Sequence, residues 1–498
     1  MNTDLKTFYK EYKDKVSAYE FAFTSLDFDI STIAPKDGNT FAIEMYSILE
    51  GDYFSYVTAP EHIEKIQALY ESTEEPELKR ELSLRLRSLH QISKLPKEVY
   101  IDFQKATAQG RQQWEKAKKE DDYQIFKPYL LDIIQKQREM MVYFNHEGSD
   151  YDYMLDQYEQ GMTTEKYDVF FARVKEKLVP LIGRIHESGK KIDKSILEKP
   201  YDINGQKAFT EELKKILQIN DNQCYISESA HPFCSFFSTN DVRFTTRYLP
   251  NYLTGAILAT VHEYGHGLYA LQVNPEYEKT TLSSEVGSGM HESQSRLLEN
   301  HIGRSEGFWK VLYPKLQKLF PEQLGEVQLE QFMEMVNATE PSFIRVEADE
   351  LTYPLHIMIR YELEKSIFDG TADLESLDTL WADKYEEYLG IRPETYEEGI
   401  LQDIHWSSGY FGYFPTYALG SAFAAQFFHQ MEKELDIEKL LEEDKFQEIA
   451  KWLKENIHQY GASMTHSELL LKVTGEDLNP DYYTDYLVKK YEGIYFND

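Results

Sequence analysis

Apolar side chains recur every three to four positions through most of the first two hundred residues, which predicts long amphipathic helices that each bury one stripe. In the stretch from Asp122 to Phe144, Phe126, Leu130, Ile133 and Ile134 fall on one such stripe. Turn-forming runs, Pro35-Lys36-Asp37-Gly38 and Asn145-His146-Glu147-Gly148, punctuate the pattern. Between Asp202 and Pro250 the period changes. Short runs of β-branched and aromatic residues there, from Cys224 to Tyr248, predict a few strands rather than a helix. Helical spacing returns after Pro250 and continues nearly to the end, broken by glycine-bearing loops at Gly287 to Gly289 and Gly409 to Gly412. The expected fold is mainly α, a large helical body with a deep groove and a small β-sheet near the functional site. An N-terminal helical lobe over 1–200 and a region over 201–498 that carries the sheet are expected to form one structural unit, since no Pro/Ser-rich linker separates them.

Composition narrows the partners. The chain has 498 residues and a formal net charge of -33, from 53 Lys and Arg against 86 Asp and Glu. Nucleic acid is therefore an unfavourable partner, because phosphate binding needs clustered positive charge. Cys224 and Cys234 are too few to staple a chain of this length, and a reducing compartment is expected. The polar start lacks the apolar core of a secretory signal, and no window approaches the roughly 18 apolar residues of a membrane span. Cytoplasmic residence and no membrane partner are the expectations. Aromatics make up 14% of residues, which suits large packed bodies and the walls of substrate grooves.

The sharpest chemical signal is His262-Glu263-Tyr264-Gly265-His266 within a stretch of helical spacing. Positions i and i+4 share a helix face, so the two imidazoles converge on one point, as a tetrahedral divalent metal requires. Glu263 lies beside them, placed to take a proton from water. This is a zincin arrangement and points to peptide hydrolysis. The Gly and His that a metzincin carries at the third and sixth positions after the motif are replaced by Tyr269 and Gln272, which excludes that subclass. A gluzincin takes its third ligand as Glu from the next helix; Glu292 and Glu299 are candidates, with Glu285 beside the glycine loop a weaker one.

Six patterns, the HExxH run among them, make the resemblance specific. His231-Pro232-Phe233, Asp241 to Thr245 (DVRFT), the HExxH run, His291-Glu292-Ser293-Gln294, Ile344 to Asp349 (IRVEAD) and Gly399 to Trp406 (GILQDIHW) occur in order. In this the chain resembles the carboxypeptidase Taq family, helical gluzincins that remove C-terminal residues from peptides. The resemblance implies a neurolysin-like helical body, metal ligands His262, His266 and Glu292, a supporting role for Glu299, and a homodimer. It implies one divalent ion per chain, Zn2+ or alternatively Co2+, and peptides as substrates.

The tetrahedral intermediate of such a reaction needs donors aimed at its oxyanion. His405, Tyr410 and Tyr417 are candidates, and their spacing resembles the catalytic His and Tyr positions of the helical oligopeptidases. A carboxypeptidase must also recognise a free carboxylate, for which a guanidinium fork is the best match. Arg345 and Arg243 fill that need. By resemblance His231 belongs to a groove wall or end stop, and Asp349 lies in the same substrate-binding motif as Arg345. The rival readings are an endo-acting or dipeptide-releasing oligopeptidase and a helical binding protein that has lost its metal. An aminopeptidase is disfavoured because no GAMEN-like run is present to hold a free amine.

Overall fold

The computed structural model describes residues 2–284 and 286–496. Its expected helices form, among them Asn2–Thr32, Lys97–Glu120, Asp150–Tyr158 and Thr164–Ser188. Phe126, Leu130, Ile133 and Ile134 are all buried on one side of Tyr123–Met141, whose first turn is capped by the Asp122 carboxylate accepting from Gln124 N. Helix periodicity here translates directly into burial.

The sheet has three strands, β1 (Cys224–Glu228), β2 (Cys234–Ser238) and β3 (Asp241–Thr246). β3 is central, parallel to β1 and antiparallel to β2. Alternation along β3 sends Val242 and Phe244 to the core, where both pack against Gly267 of the long helix Leu253–Gln272. Arg243, between them, faces the other side and lies over Phe237 and over Phe28 of the first helix.

Burial divides the chain unevenly. Residues between Tyr9 and Leu89 form a small core of their own, including Tyr12, Ile66 and Leu82. The main core draws on residues from Ala106 to Tyr495, so the helices Lys97–Glu120 to Thr164–Ser188 pack with the C-terminal helices rather than with the first four. Among the described residues no helix is long and apolar enough to cross a membrane.

Candidate active site

The HExxH pair sits near the middle of the Leu253–Gln272 helix, which crosses Ser288–Arg296 at close range. A side chain at Gly265 could not fit: its Cβ would lie 2.5 Å from Gln294 O and Ser295 Cα. That close approach brings Glu292 under both imidazoles. His262 Nε2 and His266 Nε2 lie 3.7 and 3.5 Å from Glu292 Oε2, and one donor atom from each of the three residues falls within 4.8 Å of the others.

The outer edges of His262 and Glu292 are engaged by other side chains. Glu299, in the π-helical stretch Leu297–Ile302 that continues the second helix, accepts at 2.8 Å from His262 Nδ1, which directs Nε2 inward. Arg296 donates from Nε to Glu292 Oε1 at 2.7 Å and from Nη1 to Glu299 Oε2 at 3.1 Å. Glu292, Arg296 and Glu299 are spaced i, i+4, i+7 and so share one helix face. Two imidazole nitrogens and a carboxylate oxygen converging on one point, with His262 and Glu292 steered from behind by Glu299 and Arg296, fit a divalent ion.

Charge is balanced by proximity rather than by solvent. Burial would raise the Glu292 carboxyl, but Arg296 and then His262 outweigh it and hold it well below the usual carboxylate range. Burial would likewise raise Glu299, yet Arg296 and the His262 hydrogen bond bring it down to about 2. Glu263 has weaker help and is pushed up to about 7, chiefly by burial. A carboxylate held near neutrality is suited to accepting and returning a proton.

Across the site, His405 Nε2 lies 3.3 Å from the Tyr417 hydroxyl, with the His405 ring tilted against Phe414, centroids 4.3 Å apart. Burial lowers His405 to about 4 and raises Tyr417 well above the ordinary tyrosine range, so at neutral pH the imidazole is uncharged and the phenol keeps its proton. Tyr410 stands half exposed at the tip of the glycine-bearing turn.

The arginines are placed differently from one another. Arg345 is buried and gives its Nε and Nη2 to Asp403 Oδ1 at 3.1 and 2.8 Å. Its Nη1 approaches the Tyr353 hydroxyl at 3.4 Å, and the Tyr353 ring lies 4.5 Å from the Arg296 guanidinium. Arg345 is thus joined to the Glu292 side of the site through two intervening side chains. A second buried guanidinium, Arg360, bonds the other Asp403 oxygen at 2.7 Å, so two cations share one carboxylate. Arg243 stands apart, forked onto Asp241 at 3.0 and 2.7 Å on the sheet face away from the HExxH helix.

Two further expectations meet a different geometry. The Asp349 carboxylate accepts from the backbone of Glu340, Leu351 and Thr352 and from the Thr339 and Thr352 hydroxyls, bracing the turn that precedes the helix Tyr353–Phe368. His231 is exposed on the β1–β2 turn. Glu285 lies outside the described residues. Arg296, Tyr353 and Arg360 were missed from sequence; Arg296 had a signal, its i+4 spacing from Glu292, while the other two are brought in by tertiary packing alone.

With this geometry the comparisons agree. Residues 8–491 match the family profile described as carboxypeptidase Taq (M32) metallopeptidase. The chain is 38% identical over 498 residues to carboxypeptidase 1 of Bacillus subtilis, covering 99% of both chains. It is 39% identical over 411 residues to thermostable carboxypeptidase 1 of Thermus thermophilus, covering 80% of each. The crystal structure of the M32 carboxypeptidase from Deinococcus radiodurans superposes with a TM-score of 0.95 at 30% identity, over 99% of each chain. The chain belongs to the carboxypeptidase Taq (M32) metallopeptidase family and is a metal-dependent carboxypeptidase.

Proposed function

We propose that the enzyme releases single amino acids from the free C-termini of short peptides, with one Zn2+ held by His262, His266 and Glu292. The observation that carries this reading is the convergence of two inward-facing Nε2 atoms on the Glu292 carboxylate. When bound there, the ion supplies Lewis acidity, polarising the scissile carbonyl and making a water more acidic. Glu263 takes the proton from the attacking water and passes it to the leaving amine. The Tyr417 and Tyr410 hydroxyls and the His405 imidazole supply hydrogen bonds where negative charge develops on the carbonyl oxygen.

Arg345 is the proposed partner of the substrate carboxylate. Two guanidinium groups around one Asp403 carboxylate leave an excess positive charge beside Tyr417, in surroundings where an anion is strongly favoured. In this reading Arg243 and His231 serve the far part of the groove, and Asp349 supports the loop that carries Arg345. We also place the enzyme in the cytoplasm as a homodimer: Cys224 and Cys234 are both free thiols, and the dimer rests on the family resemblance.

Product analysis tests the activity. Mass spectrometry of a peptide carrying a free C-terminus should show a ladder of single-residue losses, and the same peptide blocked as the amide should be cut far more slowly. Dipeptide products or internal cuts would replace this reading with an oligopeptidase. Light scattering on the purified protein tests the dimer.

A further inference from the structure

Beneath the segment that carries His405 and Tyr410 lies a carboxyl group with no solvent exposure, Glu364 on the helix Tyr353–Phe368. Three donors from separate parts of the chain meet on it. Trp406 Nε1 reaches Oε1 at 2.7 Å, while Gly412 N and the Tyr151 hydroxyl reach Oε2 at 2.7 and 2.8 Å. Trp406 and Gly412 bracket Tyr410, so one carboxylate grips the turn near both its ends. Tyr151 anchors that grip to the helix Asp150–Tyr158.

The turn is wedged against the same helix. Gly412 has φ +85°, and a Cβ there would lie 2.9 Å from Met154 C and 3.0 Å from Leu155 N. The backbone therefore passes where only glycine fits, and its amide points at Glu364 rather than at solvent. A hydrophobic residue in place of Glu364 would leave an indole N–H, a backbone N–H and a phenol buried without acceptors.

We propose that Glu364 is a positioning residue for the reaction: it holds the 405–412 segment through Trp406 and Gly412, and so sets where Tyr410 and His405 stand relative to the scissile carbonyl. The inference rests on the reading above that these two residues act on the reacting group. Glu364 itself touches no substrate. Its grip is strongest when it is charged, since the ionised carboxylate accepts from all three donors, whereas a proton on it can be placed only toward the Tyr151 hydroxyl, which must then accept instead of donate, and leaves a weaker acceptor for Trp406 and Gly412. Burial pushes the Glu364 carboxyl up to about 7, against the lowering effect of Gly412 N, Trp406, Tyr151 and Arg360. The titratable and charged groups acting with it are Tyr151 and Tyr158 from the Asp150–Tyr158 helix and Arg360 one turn back on its own helix. The segment itself contributes the non-titrating Trp406 and Gly412.

The test compares Glu364→Gln with wild type in the metal-loaded enzyme, beside His405→Ala and Tyr410→Phe. The amide keeps the shape but offers one acceptor oxygen and turns an N–H toward a donor. We expect bound metal and circular dichroism to stay at wild-type levels, and kcat to fall by about tenfold to a hundredfold with KM nearly unchanged, the range for a displaced catalytic group. The acid limb of the kcat profile should also move. A folded, metal-replete Glu364→Gln enzyme with wild-type kcat and an unmoved profile would overturn the inference. Wild-type turnover in both His405→Ala and Tyr410→Phe would instead remove the reading on which it rests. If Glu364→Gln does not fold, Tyr151→Phe decides: loss of one donor destabilises the carboxylate, so the acid limb should shift to higher pH, and an unshifted limb overturns the proposal.

Discussion

Glu299 Oε2 lies 2.8 Å from His262 Nδ1, on the edge of the imidazole that faces away from Glu292. The two glutamates thus approach one histidine from opposite sides and have separable effects. Replacing Glu292 with Ala removes a donor atom and should abolish both activity and stoichiometric metal. Replacing Glu299 with Ala leaves the three donors and frees the ring to rotate, which should weaken metal affinity by about tenfold to a hundredfold. Chelator competition followed by elemental analysis measures both. Full metal occupancy in Glu292→Ala would transfer the third position to another carboxylate.

Glu263→Gln should separate metal binding from turnover. The amide preserves shape and cannot accept the proton of the attacking water, while His262 keeps its contact with Glu299. Bound metal should match wild type and kcat should drop by about a hundredfold or more. Retention of even a tenth of wild-type turnover would take the base role away from Glu263.

Substrate recognition can be divided between the two arginines by comparing a free-acid peptide with its amide. Arg345→Ala should lower kcat/KM for the acid by about tenfold to a hundredfold and change the slow amide far less, since a charged hydrogen-bond pair contributes about 1.5–3 kcal/mol. Asp403 retains Arg360 in this variant, so the cluster is not left with an unpaired carboxylate. Equal losses on acid and amide would assign Arg345 to structure, and the same comparison at Arg243 would then decide whether recognition lies there.

What could be read in advance follows from the range of each interaction. The helices, the β-rich interval and the two metal-facing histidines obey local periodicity, so a window of a few turns contains all the information needed. Asp349 was visible as a residue, but its contacts with the turn around Leu351 and Thr352 were not, because they join backbone and side chains that only the folded turn brings to one carboxylate. Tyr353 and Arg360 carry no such local mark. They join Arg296 to Asp403 only because the Tyr353–Phe368 helix packs beside the 403–417 segment, and spacing along the chain says nothing about that contact.

The buried Glu364 carboxyl also predicts how stability varies with pH. Its folded-state value of about 7 stands above the ordinary glutamate value of 4.5, because burial disfavours the charged form. Below pH 4.5 the group is protonated in both folded and unfolded chains, and its contribution to stability is fully present. As pH rises toward 7 the unfolded chain releases its proton while the folded chain holds it, so this group's contribution to stability declines and is lost above about 7. The difference of 7 − 4.5 pH units corresponds to about 3 kcal/mol. Glu364→Gln lacks that slope. Thermal unfolding of both proteins with equal metal loading, from pH 5 to pH 8, should therefore show the apparent Tm of the variant rising relative to wild type as pH increases. Parallel curves would mean that Glu364 ionises at its ordinary value, and the charge dependence of its hold on Trp406 and Gly412 would fall with it.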